Sequence, residues 1–296
     1  MKKLDDVLNR LGETFESRMA EEASKDSDKG KKPPGEAEGG SRDGELPEAS
    51  GVVLEFPSQW DEDDRAVPNA IARSALFAPI RRGRRPLHEK ALIASRGDVE
   101  IRYTGRQLDM ADQDVWLALI EIARKHPIGM RIKVSRYEIL KLLGRRTGKA
   151  DYLWLHEAIW RLKTGTVEIK SKRYRVGLSF VEYFELDDKT GEYYMRLNPE
   201  VAKLYARSEY ALVNWERRKA LKGHVDLAKW LQGYAASHKR GEEHRIGIGL
   251  LKTWAGYTGE LNDFRAGLRG ALRELERIRE IENIQFEGEI VTWKRP

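Results

Sequence analysis

ELNDFRAGLRGALRELERIR, residues 260–279, carries Leu261, Phe264, Leu268, Leu272, Leu275 and Ile278 at helical spacing, the buried stripe of one long helix. Arg265, Arg269, Arg273 and Arg277 recur every four residues, so they form a second stripe on the flank of the same helix. Glu274 and Glu276 can neutralise part of that stripe through pairs three residues apart, so two uses stay open: contact with a polyanion, or solubility. Working outward, a helix over about Val225 to Ser237 carries Leu227, Trp230, Leu231 and Tyr234, and a short helix covers Leu250 to Ala255. On the other side a hairpin runs from about Ile284 to Trp293 and ends in Lys294 and Arg295. Helix, short helix, basic helix and hairpin is the order of a winged helix, whose third helix enters a DNA major groove.

The same order occurs over residues 111–198. Val99, Ile101 and Tyr103 alternate with polar residues as a half-buried strand. A helix from about Asp112 to Lys125 sets Trp116, Leu119, Ile120 and Ala123 on one face and stops at His126-Pro127, because a residue before proline is pushed out of the helical region. Met130 to Val134 reads as a strand, and Ser135 caps a helix that ends near Leu143-Gly144. The third helix, Lys149 to Lys163, buries Tyr152, Leu155, Ile159 and Leu162 and turns Lys149, Leu153, Glu157, Trp160 and Arg161 away. Trp160 either packs on a sugar–phosphate surface or covers the core's edge. Strands follow at about 166–171, 174–185 and 193–197, with a turn at Asp187–Gly191. Asn198-Pro199 opens a connecting helix, and EYALVNWERRKAL (209–221) bridges to the second unit.

The expected fold class is therefore α+β, with two tandem winged-helix domains over 98–198 and 199–296. An arm and linker cover 51–97, and an acidic, disordered tail covers 1–50. Leu4, Val7, Leu8, Leu11 and Phe15 give that tail one amphipathic helical face, which either docks a partner or frays. The tail holds nine Lys/Arg against thirteen Asp/Glu, and setting its −4 apart from a chain total of +6 leaves +10 on the rest. A basic body favours a polyanionic partner. Arg81, Arg82, Arg84 and Arg85 resemble a basic arm that reaches into a minor groove, or else a mobile charged loop.

Catalytic chemistry is hard to find. The chain has no cysteine, which removes disulfides, thiolate metal sites and cysteine nucleophiles. Six histidines include no HExxH and no His-x-His pair, so no metal or other cofactor is expected. GRRTGKA (144–150) has three residues between its glycines and alanine where a phosphate-binding loop needs Ser or Thr. RVGLSF (175–180) lacks the second glycine of a nucleophile elbow. No apolar run is long enough to span a membrane, and the start has no signal-peptide core. The expectation is a non-enzymatic, cytoplasmic protein.

RAVPNAIARSALF (65–77), IRYTG (101–105), DQDVW (112–116), HPIG (126–129), VNWERRKAL (213–221) and ASHKR (236–240) resemble the TrfA-type plasmid replication initiators over roughly residues 57–296. The resemblance implies a tandem winged-helix protein that binds double-stranded direct repeats, iterons, at a plasmid origin. It further implies melting of adjacent AT-rich DNA and contact with host DnaA, replicative helicase and sliding clamp. Monomers would be the active form and homodimers would limit copy number. The family's clamp-binding peptide, Gln-Leu-x-Leu-Phe, corresponds here to VVLEF, which lacks the Gln and keeps Leu54 and Phe56 as its apolar pair.

On this reading Lys149, Trp160 and Arg161 of the first third helix and Arg265, Arg269, Arg273 and Arg277 of the second face DNA. The wings hold the phosphate backbone through Lys170, Lys172 and Arg173, and through Lys294 and Arg295. A winged-helix transcriptional repressor without initiation activity uses the same chemistry and is the competing reading.

Overall fold

The computed structural model describes residues 60–80, 83, 85–97, 99–170 and 175–296. The tail and its helical face, Leu54 and Phe56, and Arg81, Arg82, Arg84, Lys172 and Arg173 lie outside the described residues. In chain order the body begins with β1 (Asp64–Pro68), α1 (Asn69–Ala72), β2 (Phe77–Ala78), β3 (Leu87–Ile93), β4 (Glu100–Arg106) and β5 (Leu108–Asp109). α2 (Met110–Ala123) follows. It starts sooner than Asp112 because the Asp109 side chain accepts from the backbone N–H groups of Ala111 and Asp112, and Asp112 returns a bond to Asp109 N–H.

β6 (Ile132–Ser135) leads to α3 (Arg136–Leu142), capped as expected by Ser135, whose hydroxyl accepts from Glu138 N–H at 3.1 Å. α4 (Lys149–Thr164) is the third helix of the first unit, and β7 (Thr166–Lys170), β8 (Arg175–Leu178), β9 (Val181–Asp187) and β10 (Glu192–Leu197) follow it. A stretch over Pro199–Ser208 connects to β11 (Tyr210–Asn214) and α5 (Trp215–Lys219). It is a 3-10 helix rather than an α-helix, opened by a tight bond from Val201 N–H to the Asn198 carbonyl. The second unit is α6 (Val225–Ala236), β12 (Glu243–Gly247), α7 (Ile248–Trp254), α8 (Leu261–Arg277), β13 (Glu282–Glu287) and β14 (Ile290–Lys294).

The two units repeat one topology. In each, a short strand before the second helix pairs with the last strand of the hairpin, in the orders β6-β10-β9 and β12-β14-β13. This is the tandem winged-helix fold.

The first wing is not where the sequence suggests. Segment 174–185 reads as one strand but is cut at Ser179-Phe180. Phe180 is fully buried against Phe77 and Trp116; its N–H donates to the Leu162 carbonyl and its own carbonyl accepts from Asn198 N–H. The first piece, β8, therefore stays in a sheet of order β3-β4-β7-β8, and the second, β9, becomes the wing with β10.

Residues read from sequence as an arm and linker also form strands and a helix over 64–78 and 87–93. β1 pairs antiparallel with β11 over Asp64–Pro68 and Tyr210–Asn214, and β3 pairs with β4. LHEKALI lacks regular alternation because β3 is an edge strand broken by an irregularity between His88 and Ala91, where Lys90 takes a φ of 45°.

One apolar core runs through both units and includes Phe77, Trp116, Phe180, Trp215, Trp230 and Trp293. A charged pin crosses it. Arg218 of α5, almost fully buried, donates to Asp114 at 2.6 Å and Gln113 at 2.8 Å on α2, and to the Lys229 carbonyl on α6 at 3.0 Å. Burial pushes the Asp114 carboxyl up, but Arg218 and Lys229 beside it more than offset this and hold it below the usual carboxylate range.

Candidate nucleic-acid interface

α8 buries Phe264, Leu268, Ala271, Leu272 and Leu275, which rotates its arginine stripe outward. The four arginines are not equivalent. Arg273 is exposed and has no ion-pair partner among the described residues. Arg269 is exposed, with its guanidinium 4.1 Å over the Phe286 ring of β13. Arg265 is half-buried and lies 3.8 Å from Glu289 on the turn of the second wing. Arg277 donates to Glu274 and to the Ala220 carbonyl, both at 2.7 Å, so it ties the end of α8 to the loop after α5. That hydrogen bond and one from Lys222 N–H hold the Glu274 carboxyl down at about 2.

α4 buries Leu155, Ala158, Ile159 and Leu162 and leaves Lys149, Ala150, Leu153, Glu157 and Trp160 exposed. Trp160 meets Phe184 of β9 edge-on at 5.8 Å and still exposes half its surface. Before α4 the structure adds a group not singled out in the sequence: Tyr137, Lys141, Arg145 and Arg146 are all exposed on α3 and the turn after it. Arg145 lies 3.8 Å over Trp154 and pairs with Asp151 at 3.1 Å. The fifteen Lys/Arg in 124–175 are the signal that could have found them.

Two expected contacts sit elsewhere. Arg161 reaches the carboxylate of Asp112 through both Nη2, at 2.8 Å, and Nε, and its side chain is only 13% exposed. Arg85 donates to the same carboxylate at 2.8 Å and to Asp109. The fully buried Asp112 needs both cations, so Arg161 and Arg85 fasten α4 and the segment before β3 to the start of α2 rather than projecting as reading or arm residues. An acid in the first turn of an otherwise apolar helix was the available clue.

The wings differ from expectation as well. Lys170 is exposed on β7 but paired in register with Glu100 and Arg175, within the four-stranded sheet and not on a wing. Lys294 ends β14 at the base of the second wing, and Arg295 donates to the carbonyls of Ala236 and His238 at 2.8 and 3.2 Å, closing the end of α6. The wing turns themselves are acid-bearing: Asp187-Asp188-Lys189-Thr190-Gly191 in the first and Glu287-Gly288-Glu289 in the second. Among the described residues no group of three or more His, Asp or Glu could hold a metal, and no helix is long and apolar enough to cross a membrane.

Each of the two repeated units thus exposes its third helix. The family profile described as TrfA protein matches residues 52–294. The chain belongs to the TrfA family. It is 30% identical over 188 residues to the plasmid replication initiator protein TrfA of Escherichia coli, covering 61% of this chain and 48% of that protein. The match thus spans about half the length of that TrfA relative. A crystal structure of domains 2 and 3 of RctB aligns with TM-score 0.55 at 16% identity, over 77% of this chain and 98% of that one. The Pi initiator protein in complex with iteron DNA aligns with TM-score 0.50 at 11% identity, over 79% and 97%. At such identities both structures speak for the fold of this TrfA-family body and for nothing finer.

Proposed function

We propose that this protein is a plasmid replication initiator that binds direct repeats in double-stranded origin DNA, placing α4 and α8 in successive major grooves. With the boundary between the two winged helices taken near residue 198, each half brings one reading helix to one side of the repeat. The observation that carries this reading is the duplicated unit in a TrfA-family chain, with both third helices exposed and the second lined by Arg265, Arg269 and Arg273. A helix in the major groove reads base edges directly, while cations on its flank hold phosphates. Lys149, Lys141, Arg145 and Arg146 would serve the first helix in that second role. The protein acts by binding, not catalysis. Binding several adjacent repeats supplies energy for bending and untwisting the neighbouring AT-rich DNA. Host DnaA, helicase and clamp then load on the opened origin, with the monomer as the form on DNA and a homodimer off it.

Footprinting of the purified chain on the origin of its own replicon tests this. Regularly spaced direct repeats should be protected, with protection lost when Arg269 and Arg273 become alanine. With about eight phosphate contacts the log–log salt slope should be roughly −7. Protection of an inverted repeat at a promoter alone would make the protein a repressor instead, and absence of protection at low salt would end the DNA-binding reading.

A further inference from the structure

α4 and α8 occupy the same place in the repeated unit but present opposite chemistry. Where α8 turns arginines outward, α4 turns out Ala150 and Leu153, with Leu153 exposing 64% of its surface on the second turn of the helix. Leu153 lies on the outward face shared with Lys149, one turn before it, and Glu157, one turn after. Exposed cations precede it in the chain, Lys141 at the end of α3, Arg146 in the turn and Lys149 at the start of α4, and Arg145 stacks on Trp154 beside it. An apolar side chain framed by cations on a reading helix fits a duplex better than an oily protein surface, because the frame attracts phosphate while the centre meets base edges.

A leucine cannot hydrogen-bond a base. The one apolar group that a base pair displays in the major groove is the C5-methyl of thymine. Resting on the proposed binding of direct repeats, we infer that Leu153, with Ala150 one turn earlier, determines specificity by packing on thymine methyl groups in the half of the repeat that α4 enters. The two helices then divide the work: α8 supplies charge-assisted contacts and α4 supplies discrimination for thymine.

Deoxyuridine pairs as thymine does but lacks the methyl, so it isolates this contact. Duplexes carrying one direct repeat of the origin are made with each thymine replaced in turn by deoxyuridine, and the full chain is titrated against each. One or two positions, confined to one half of the repeat, should weaken wild-type binding about fourfold, the worth of one buried methyl. Leu153→Ala should weaken binding to the unmodified repeat by a similar factor and show no further loss on deoxyuridine at those positions. Because Leu153 is exposed, the thermal midpoint should not move. Equal wild-type affinity for every substituted duplex overturns the inference, as does a Leu153→Ala variant that keeps the full deoxyuridine penalty. A Leu153→Ala variant that instead changes the sedimentation coefficient would assign the face to a second copy of the chain and overturn it too. Failure to bind even the unmodified repeat would remove the proposed function along with it, whereas insensitivity to deoxyuridine leaves that function standing.

Discussion

Arg161 and Arg273 show how differently two arginines on the third helices of the two units can be used. Arg161 is committed to a fully buried carboxylate that it shares with Arg85, and removing it leaves that buried charge only partly compensated. Arg161→Ala should therefore lower the unfolding free energy by about 3 kcal/mol in urea titrations, whatever it does to DNA. Arg273 is exposed and has no ion-pair partner among the described residues. Arg273→Ala should leave stability unchanged and reduce the salt slope of DNA binding by about 1. Both residues carry the same letter in the same kind of helix. Sequence spacing places each on a flank, and only the position of Asp112 on a neighbouring helix tells them apart. Leu153 is the converse: spacing alone turned it outward, and the structure agrees.

At the scale of elements, what periodicity can see was legible and what pairing decides was not. Helices α2, α4, α6 and α8 have apolar stripes at regular spacing, and the structure puts them within a few residues of the expected bounds. The wing could not be assigned that way. VGLSFVEY alternates well enough to be one strand, and the break at Phe180 exists because Phe77 and Trp116, far away in sequence, make a pocket for its ring. The same long-range pairing hides β1 and β3. It also brings the acidic second wing turn against α8, where Glu289 faces Arg265. Near a phosphate backbone that carboxylate repels DNA and competes for the arginine. Glu289→Gln should tighten binding about two- to fivefold at low salt and by less as salt rises, measured by fluorescence anisotropy.

For the whole molecule, two half-buried histidines give the pH response a definite sign. His238 and His244 lie with ring centroids 4.0 Å apart between the end of α6 and β12, and the Tyr234 hydroxyl contacts His244 Nε2 at 3.1 Å. Burial pushes them down to about 3 and about 4, with the neighbouring His244 and the Arg96 guanidinium, respectively, adding to the effect. The unfolded chain takes up protons at these rings below about pH 6.5, and the folded chain does not until far lower. Their contribution is thus complete above about pH 6.5 and is lost as pH falls toward 4. Urea midpoints measured from pH 7 to 4.5 should decline, and His238→Gln should flatten that decline. Asp114 acts with the same sign at lower pH: its depressed carboxyl keeps the pin to Arg218 and Lys229 ionised until the solution is more acidic than an ordinary carboxylate would tolerate.

The β1–β11 ladder has a mechanical consequence. It joins the start of the body to the middle of the chain, so everything between Pro68 and Tyr210, the first winged helix included, hangs as a closed loop outside the line of force between residue 60 and residue 296. Tension on that line enters at Asp64 and leaves at Asn214, which are paired directly with each other. Load applied at one end of an antiparallel ladder opens its bonds one after another like a zipper, and does not shear them together. In a force-extension experiment the first event should therefore be a low-force lengthening that leaves both winged helices folded. The molecule would meet traction by paying out a hinge before it surrenders either third helix.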